Sequence, residues 1–78
     1  MTKFPSMKSK KMRVILERSP LNYSVVHRVR SHCKYVSANG YPDIRYTYHD
    51  KDTLSGSTVR EILVDMIGLS ETEALNLI

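Results

Sequence analysis

Val59, Ile62, Leu63, Met66 and Ile67 recur at the i, i+3, i+4, i+7, i+8 spacing of one helix face. A stripe of this kind draws its stability from packing, so the rest of the chain must supply a surface for it to cover. Ser55 stands where an N-cap belongs, and Gly68 stands just past the last apolar position as a C′ residue. The surface comes from upstream. Tyr23 to Val29 is rich in β-branched and aromatic residues, and Cys33 to Ser37 forms a second such run. Ile44, Tyr46 and Tyr48 alternate with Arg45, Thr47 and His49, the period of a half-buried strand. Ala38-Asn39-Gly40 separates the second run from the third and supplies a hairpin turn. Three strands in succession followed by an amphipathic helix predict an antiparallel meander with the helix laid across it.

The flanks complete the outline. Residues 1–8 read as a flexible basic extension, with Pro5 opposing regular structure, and residues 9–78 as a single domain. Ser9 is the expected N-cap of a short helix over residues 10–18, whose apolar positions are Met12, Ile15 and Leu16. Ser19-Pro20-Leu21-Asn22 ends it, because a residue before proline avoids the helical region. His49 to Thr53 reads as a polar loop, and Ser70-Glu71-Thr72-Glu73 as a capping box opening a last short helix. The expected fold class is α+β: a small α-β-β-β-α domain with a closing helix, its three-stranded antiparallel sheet carrying the helices on one face.

Charge is divided along the chain. Residues 1–49 hold ten Lys/Arg against two Asp/Glu, and residues 50–78 hold two against six. A basic front half suits a polyanion, and an acidic tail suits a different neighbour, although basic residues also serve as plain solvated surface. One cysteine, Cys33, permits no intramolecular disulfide, which fits a reducing cytosol. No apolar run approaches the ~20 residues that cross a bilayer. The N-terminal lysines lack the apolar stretch of a secretory signal, so a cytoplasmic protein without membrane contact is expected. With 78 residues the chain buries only about 60 % of its unfolded surface, so a partner would add useful stability.

The chemistry concentrates in His27-Arg28-Val29-Arg30-Ser31-His32-Cys33-Lys34-Tyr35, where six of nine residues are Arg, Lys, His or Tyr. His32 is the candidate catalyst. Repulsion from Arg30 and Lys34 favours its uncharged imidazole, which can accept a proton from a 2′-hydroxyl. Arg28, Arg30 and Lys34 are candidate phosphate contacts that would stabilise charge on a phosphorane-like transition state, with no metal required. Lys51 and Arg60 are further candidates for the same RNA-binding surface. If Arg30-Ser31 is a two-residue turn, Val29 pairs with His32; His27 and Lys34 then join the His32 face and Arg28 leaves it. The sequence leaves that register open.

Other readings carry less chemistry. His27 and His32 lie five apart on β structure with no acidic pair beside them, so neither a metal nor any other cofactor is expected. Cys33 points away from His32 if both are on a strand, which makes it small core filler. Tyr35, Tyr41, Tyr46 and Tyr48 either stack on bases or pack the sheet against its helices, and the phase shared with Ile44 favours packing for Tyr46 and Tyr48. Lys8, Lys10, Lys11 and Arg13 either touch phosphates or solvate a helix face. His49 is either a second proton-transfer group or an end-of-strand residue bonded to its loop.

Several of these motifs occur together in one family. Met7-Lys8-Ser9-Lys10, Ser31-His32, Asn39-Gly40, Tyr48-His49-Asp50, the Leu54 to Leu63 run and Gly68-Leu69-Ser70 follow one another as in the HicA family of small bacterial toxins, which the chain resembles over residues 7–78. The resemblance implies a double-stranded-RNA-binding-like (dsRBD-like) fold and the activity of a metal-independent mRNA endoribonuclease. It implies a type II toxin–antitoxin system, with a catalytic role for His32. A HicB-like antitoxin would cover the active site, in a complex that accommodates a homodimer of the toxin. Three positions depart from the family pattern. Its glycine before Ser-His is Arg30, its Pro-Gly at the main helix start is Gly56-Ser57, and a proline common in its third strand is Thr47. A glycine at positive φ cannot become arginine without strain. Two rival functions share the same features: an RNA-binding module that does not cut, and a protein-interaction domain.

Overall fold

The computed structural model describes residues 4–30 and 32–78. Its elements run β1 (Met7–Lys8), α1 (Ser9–Glu17), β2 (Tyr23–Val29), β3 (His32–Ser37), β4 (Ile44–Tyr46), β5 (Thr53–Leu54), α2 (Gly56–Arg60), a π-helical continuation (Glu61–Met66) and α3 (Glu71–Leu77). Strands β2, β3 and β4 form an antiparallel sheet in sequence order, and β1 and β5 form a separate antiparallel pair. The α+β class and the three-stranded meander therefore stand as expected. The two-stranded sheet is an addition.

The sheet has one covered face. Tyr23, Cys33, Tyr35, Ile44 and Tyr46 are buried, together with Met12, Ile15 and Leu16 of α1 and Val59, Ile62 and Leu63 of the C-terminal helix. All belong to one core cluster, so the helices lie on the face that carries these strand residues. The aromatic rings cross the sheet strand by strand. Tyr23 meets Tyr35 edge-on at 6.3 Å, and Tyr35 meets Tyr46 at 5.9 Å. Tyr46 meets Tyr48 at 5.4 Å. Edge-to-face pairs at this separation add to what burial alone contributes.

Each buried phenol keeps a polar partner. Tyr23 Oη donates to the Pro42 carbonyl at 2.7 Å. Tyr35 Oη accepts from Arg13 Nε at 2.9 Å and donates to Glu17 Oε2 at 3.1 Å. Tyr46 Oη lies 2.7 Å from Ser9 Oγ and donates to the Ser9 carbonyl at 3.1 Å. Ser9 is fully buried. It is thus the first residue of α1 and a core partner, where an N-cap was expected; Lys8 occupies the cap position without a side-chain bond. The exposed N–H groups of the helix start are met by the loop instead, Ser9 donating to the Asp52 carbonyl and Lys10 to the Asp50 carbonyl.

Phe4, Met7 and Lys8 are built into the fold, where the sequence suggested a flexible extension over residues 1–8. Met7 and Lys8 pair with Leu54 and Thr53, and Met7 is buried. Residues 1–3 lie outside the described residues. Phe4 packs against the core, and its carbonyl oxygen would lie 2.1 Å from a Cβ at Gly56. A side chain there would have to displace Phe4 backbone, which accounts for a glycine at this position.

Ser55 caps α2 by accepting from the Thr58 N–H, and Ser70 and Glu73 form the expected capping box. Gly68 adopts φ +92, as a C′ glycine does. The stripe itself does not stay α-helical. Ile67 N–H reaches back five residues to the Ile62 carbonyl at 3.2 Å. The wider turn rotates the last positions, so Ile67 is buried while Met66 is 37 % exposed. The β3–β4 connection is also longer than a tight hairpin. Gly40 has φ +86 but Asn39 does not share it, and the Asn39 side chain donates to the Pro20 carbonyl. The third strand closes at Tyr46, two residues short of the expected Tyr48. Among the described residues no helix is long and apolar enough to cross a membrane.

Two predictions follow from the tyrosine ladder. Burial pushes the Tyr23 and Tyr46 phenols up to about 12 from an ordinary value of 10.0. A raised phenol holds its proton longer in the folded state, so the folded protein should lose stability as pH climbs from 10 through 12 and show no such loss below 10. Urea midpoints across that range, with tyrosinate absorbance, measure it. Second, Tyr46→Phe strands the buried Ser9 hydroxyl and should cost about 1–3 kcal/mol. Combining it with Ser9→Ala should recover part of the loss, as a double-mutant cycle in urea would report.

Candidate nucleic-acid interface on the outer face of the sheet

The uncovered face is built by the β2–β3 register. Val29 pairs with His32, Arg28 with Cys33 and His27 with Lys34, but the next pair is Val25 with Tyr35. Two steps on β2 thus match one on β3, and Val26 is the extra residue of a β-bulge. The consequence is a change of face. Tyr23 is in the core, and plain alternation along β2 would put His27 and Val29 on its side. The bulge reverses the phase, so His27 and Val29 join the outer face while Arg28 turns to the inner one.

Across the sheet the outer side chains fall into two rows. His27, Lys34 and Arg45 follow one another through the pairs His27–Lys34 and Lys34–Arg45. Val29 pairs with His32 in the adjacent row, toward the Thr47 end of the sheet. All six residues are exposed and line one shallow depression of about 270 Å³. Lys34 Nζ lies 3.9 Å from Asp43 Oδ2, an exposed pair that contributes little to stability and leaves the ammonium accessible to an anion. Two imidazoles, an ammonium, a guanidinium and a hydroxyl on one open surface can bind a phosphodiester and exchange protons with it.

The other candidate residues lie elsewhere. Arg28 lines a smaller depression of about 130 Å³ with Arg13, Tyr48, His49 and Asp50, on the inner side of the hairpin. Its Nε donates to the Arg30 carbonyl at 3.3 Å. Arg30 is exposed at the hairpin tip with φ +57. That left-handed conformation costs a non-glycine residue about 1–2 kcal/mol, and it falls where the resembling family carries glycine. Ser31, the other half of the Ser31-His32 motif, lies outside the described residues. Lys51 is exposed in the loop before β5, where its carbonyl accepts from Lys8 Nζ at 3.3 Å. Arg60 belongs to the helical layer, its Nε 3.0 Å from Glu71 and its second nitrogen 3.6 Å from Asp65. It fastens α2 to α3.

Of the basic cluster at the start of α1, Arg13 is committed to the fold. It binds Tyr35 Oη and Asp50 Oδ1 at 2.9 and 2.6 Å, and these two bonds hold its guanidinium charged well above the usual range. Asp50 is thereby held against α1, and the His49 backbone N–H donates to Asp52 Oδ2 at 2.9 Å. Tyr35 and Tyr46 are buried and have no face for a base, so packing decides their role; Tyr48 is 36 % exposed. Cys33 is buried on the face opposite His32. Among the described residues no three His, Cys, Asp or Glu side chains converge as metal ligands would.

Sequence reasoning missed Arg45 as a neighbour of His32 and gave His27 no role, although the register with Val29 opposite His32, one of those it left open, is the one observed and puts His27 on the His32 face. Arg45 was legible, since it alternates with Ile44 and Tyr46. What no local pattern announces is the bulge, which lets Tyr23 stay in the core while His27 faces outward on the same strand. No protein-family model, curated protein or solved structure matches this chain.

If Val26 is the inserted residue, deleting it should leave a regular ladder with the same faces. The variant is expected to fold and to retain the Val29–His32 and His27–Lys34 pairs, as cross-strand proton contacts in NMR spectra would report. A shift of those contacts to Arg28 opposite His32 would contradict the bulge assignment.

Proposed function

We propose that the chain is the toxin of a type II toxin–antitoxin pair, acting in the cytoplasm as a metal-independent mRNA endoribonuclease with His32 as general acid/base. The observation that carries the reading is the exposed His32 imidazole beside Lys34 and Arg45 on an uncovered strand face. RNA brings its own nucleophile, the 2′-hydroxyl, so the protein has only to move protons and offset charge on the phosphorus. Lys34 holds the phosphate. Arg30 reaches the backbone from the hairpin tip, and Arg28 and Lys51 meet strand segments that pass the edge of the sheet. Arg60, paired with two carboxylates, contributes through the fold. The ordered set of motifs shared with the HicA family supports the same reading, and with it a HicB-like antitoxin that covers this face.

Cleavage of a labelled mRNA in EDTA tests it. Wild type should cut, and His32→Ala should fall by about 10²–10⁴-fold while its circular dichroism is unchanged. Equal rates for the two proteins would remove His32 from the mechanism. Salt-sensitive RNA binding with no cleavage by either would make the chain a binding module, the role in which an arginine at the hairpin tip serves affinity alone.

A further inference from the structure

The outer face holds a second histidine in a position that a single-histidine mechanism does not use. His27 pairs directly with Lys34, and His32 pairs with Val29, two residues further along β2. The imidazoles are therefore diagonal neighbours across adjacent strands, with Cβ atoms on the order of 7 Å apart. That spacing leaves room for one phosphodiester between the rings. Both line the same depression, and Lys34 and Arg45 extend the His27 row beside them. Asp43 reaches this group only through its 3.9 Å pair with Lys34, and Arg30 stands at the hairpin tip. The placement depends on the Val26 bulge, because the register of Tyr23 to Val25 continued without it would turn His27 to the inner face opposite Cys33 and put Val26 opposite Lys34. Bulges recur where a strand must re-aim a side chain toward a site.

We propose that His27 is a second catalytic residue, so that His27 and His32 divide the two proton transfers of RNA cleavage between them. The inference rests on the ribonuclease reading above. One imidazole takes the proton of the 2′-hydroxyl as the 2′-oxygen attacks phosphorus. The bond from phosphorus to the 5′-oxygen breaks, its electron pair leaves with that oxygen, and the other imidazole supplies a proton to it. The products are a 2′,3′-cyclic phosphate and a 5′-hydroxyl. No oxidant, reductant or water is consumed, and exchange with solvent restores both rings. Lys34 and Arg45 hold the non-bridging oxygens and the charge that grows on them.

The experiment uses the full chain, His27→Gln, His27→Asn and His32→Gln, with two oligonucleotides containing one ribonucleotide each. One is natural, and the other carries sulfur in place of the 5′-bridging oxygen, a leaving group that departs without a proton. Both histidines are exposed, so the variants should fold, and circular dichroism checks it. On the natural substrate each variant should lose about 10²–10⁴-fold in kcat with KM little changed. On the sulfur substrate the variants at one position should return close to the wild-type rate, while those at the other stay slow. The rescued position is the general acid and the other the general base. Full activity of the His27 variants, a loss confined to KM, or sulfur rescue at both positions or at neither would overturn the proposal. If His32→Gln is inactive and the His27 variants are not, only this inference falls. If wild type cuts neither substrate, the ribonuclease reading falls and takes this with it.

Discussion

Three buried phenols set the architecture. A tyrosine in a core contributes a large apolar ring, but its hydroxyl must find a partner or burial becomes unfavourable. Tyr35 finds Arg13 and Glu17, Tyr46 finds Ser9, and Tyr23 finds the Pro42 carbonyl. The first two sets of bonds fix α1 in position and angle over the sheet, since both ends of one helix are tied to neighbouring strands. The third fixes the β3–β4 loop against β2. Helical cover is then complete on one side, and the other side is left as a bare strand surface.

That asymmetry is what makes a site available in so small a chain. Residues that would pack in a sandwich are exposed here, and two cations of the basic half, Lys34 on β3 and Arg45 on β4, stand on that surface. The acidic half is spent in another way. Asp50 clasps Arg13, while Asp65 and Glu71 flank Arg60, so part of the apparent charge of each half is cancelled inside the fold. The depression that holds His32 keeps its cations nearer to open solvent, with the loose Asp43 contact opposing Lys34.

Much of this was legible in the residues. The strand runs, the Ser55 cap, the Ser70–Glu73 box and the Gly68 stop are local patterns with local causes, and each appears in place. Ser9 misled because its hydroxyl had two eligible partners, a helix N–H or a distant phenol, and sequence proximity does not rank them. The π-helical turn at Glu61–Met66 escaped because its apolar spacing fits an α-helix equally well until Met66. The site was half visible. His32, Lys34 and His27 share a face once the hairpin tip is placed, whereas Val26, the one additional residue that keeps Tyr23 in the core on the same strand, appears only in the pairing.

The same residue bears on how molecules meet. Strand β2 is an outer strand of the sheet, seven residues long, and Val25, Val26 and Val29 are 36 %, 58 % and 54 % exposed along it. An unpaired edge with that composition invites another chain to extend the ladder. At Val26 the rhythm of donors and acceptors breaks, and a strand that aligned with Tyr23 to Val25 would be out of step beyond it. The bulge thus sets an obstacle in the backbone itself against a second copy extending the ladder along the whole of β2.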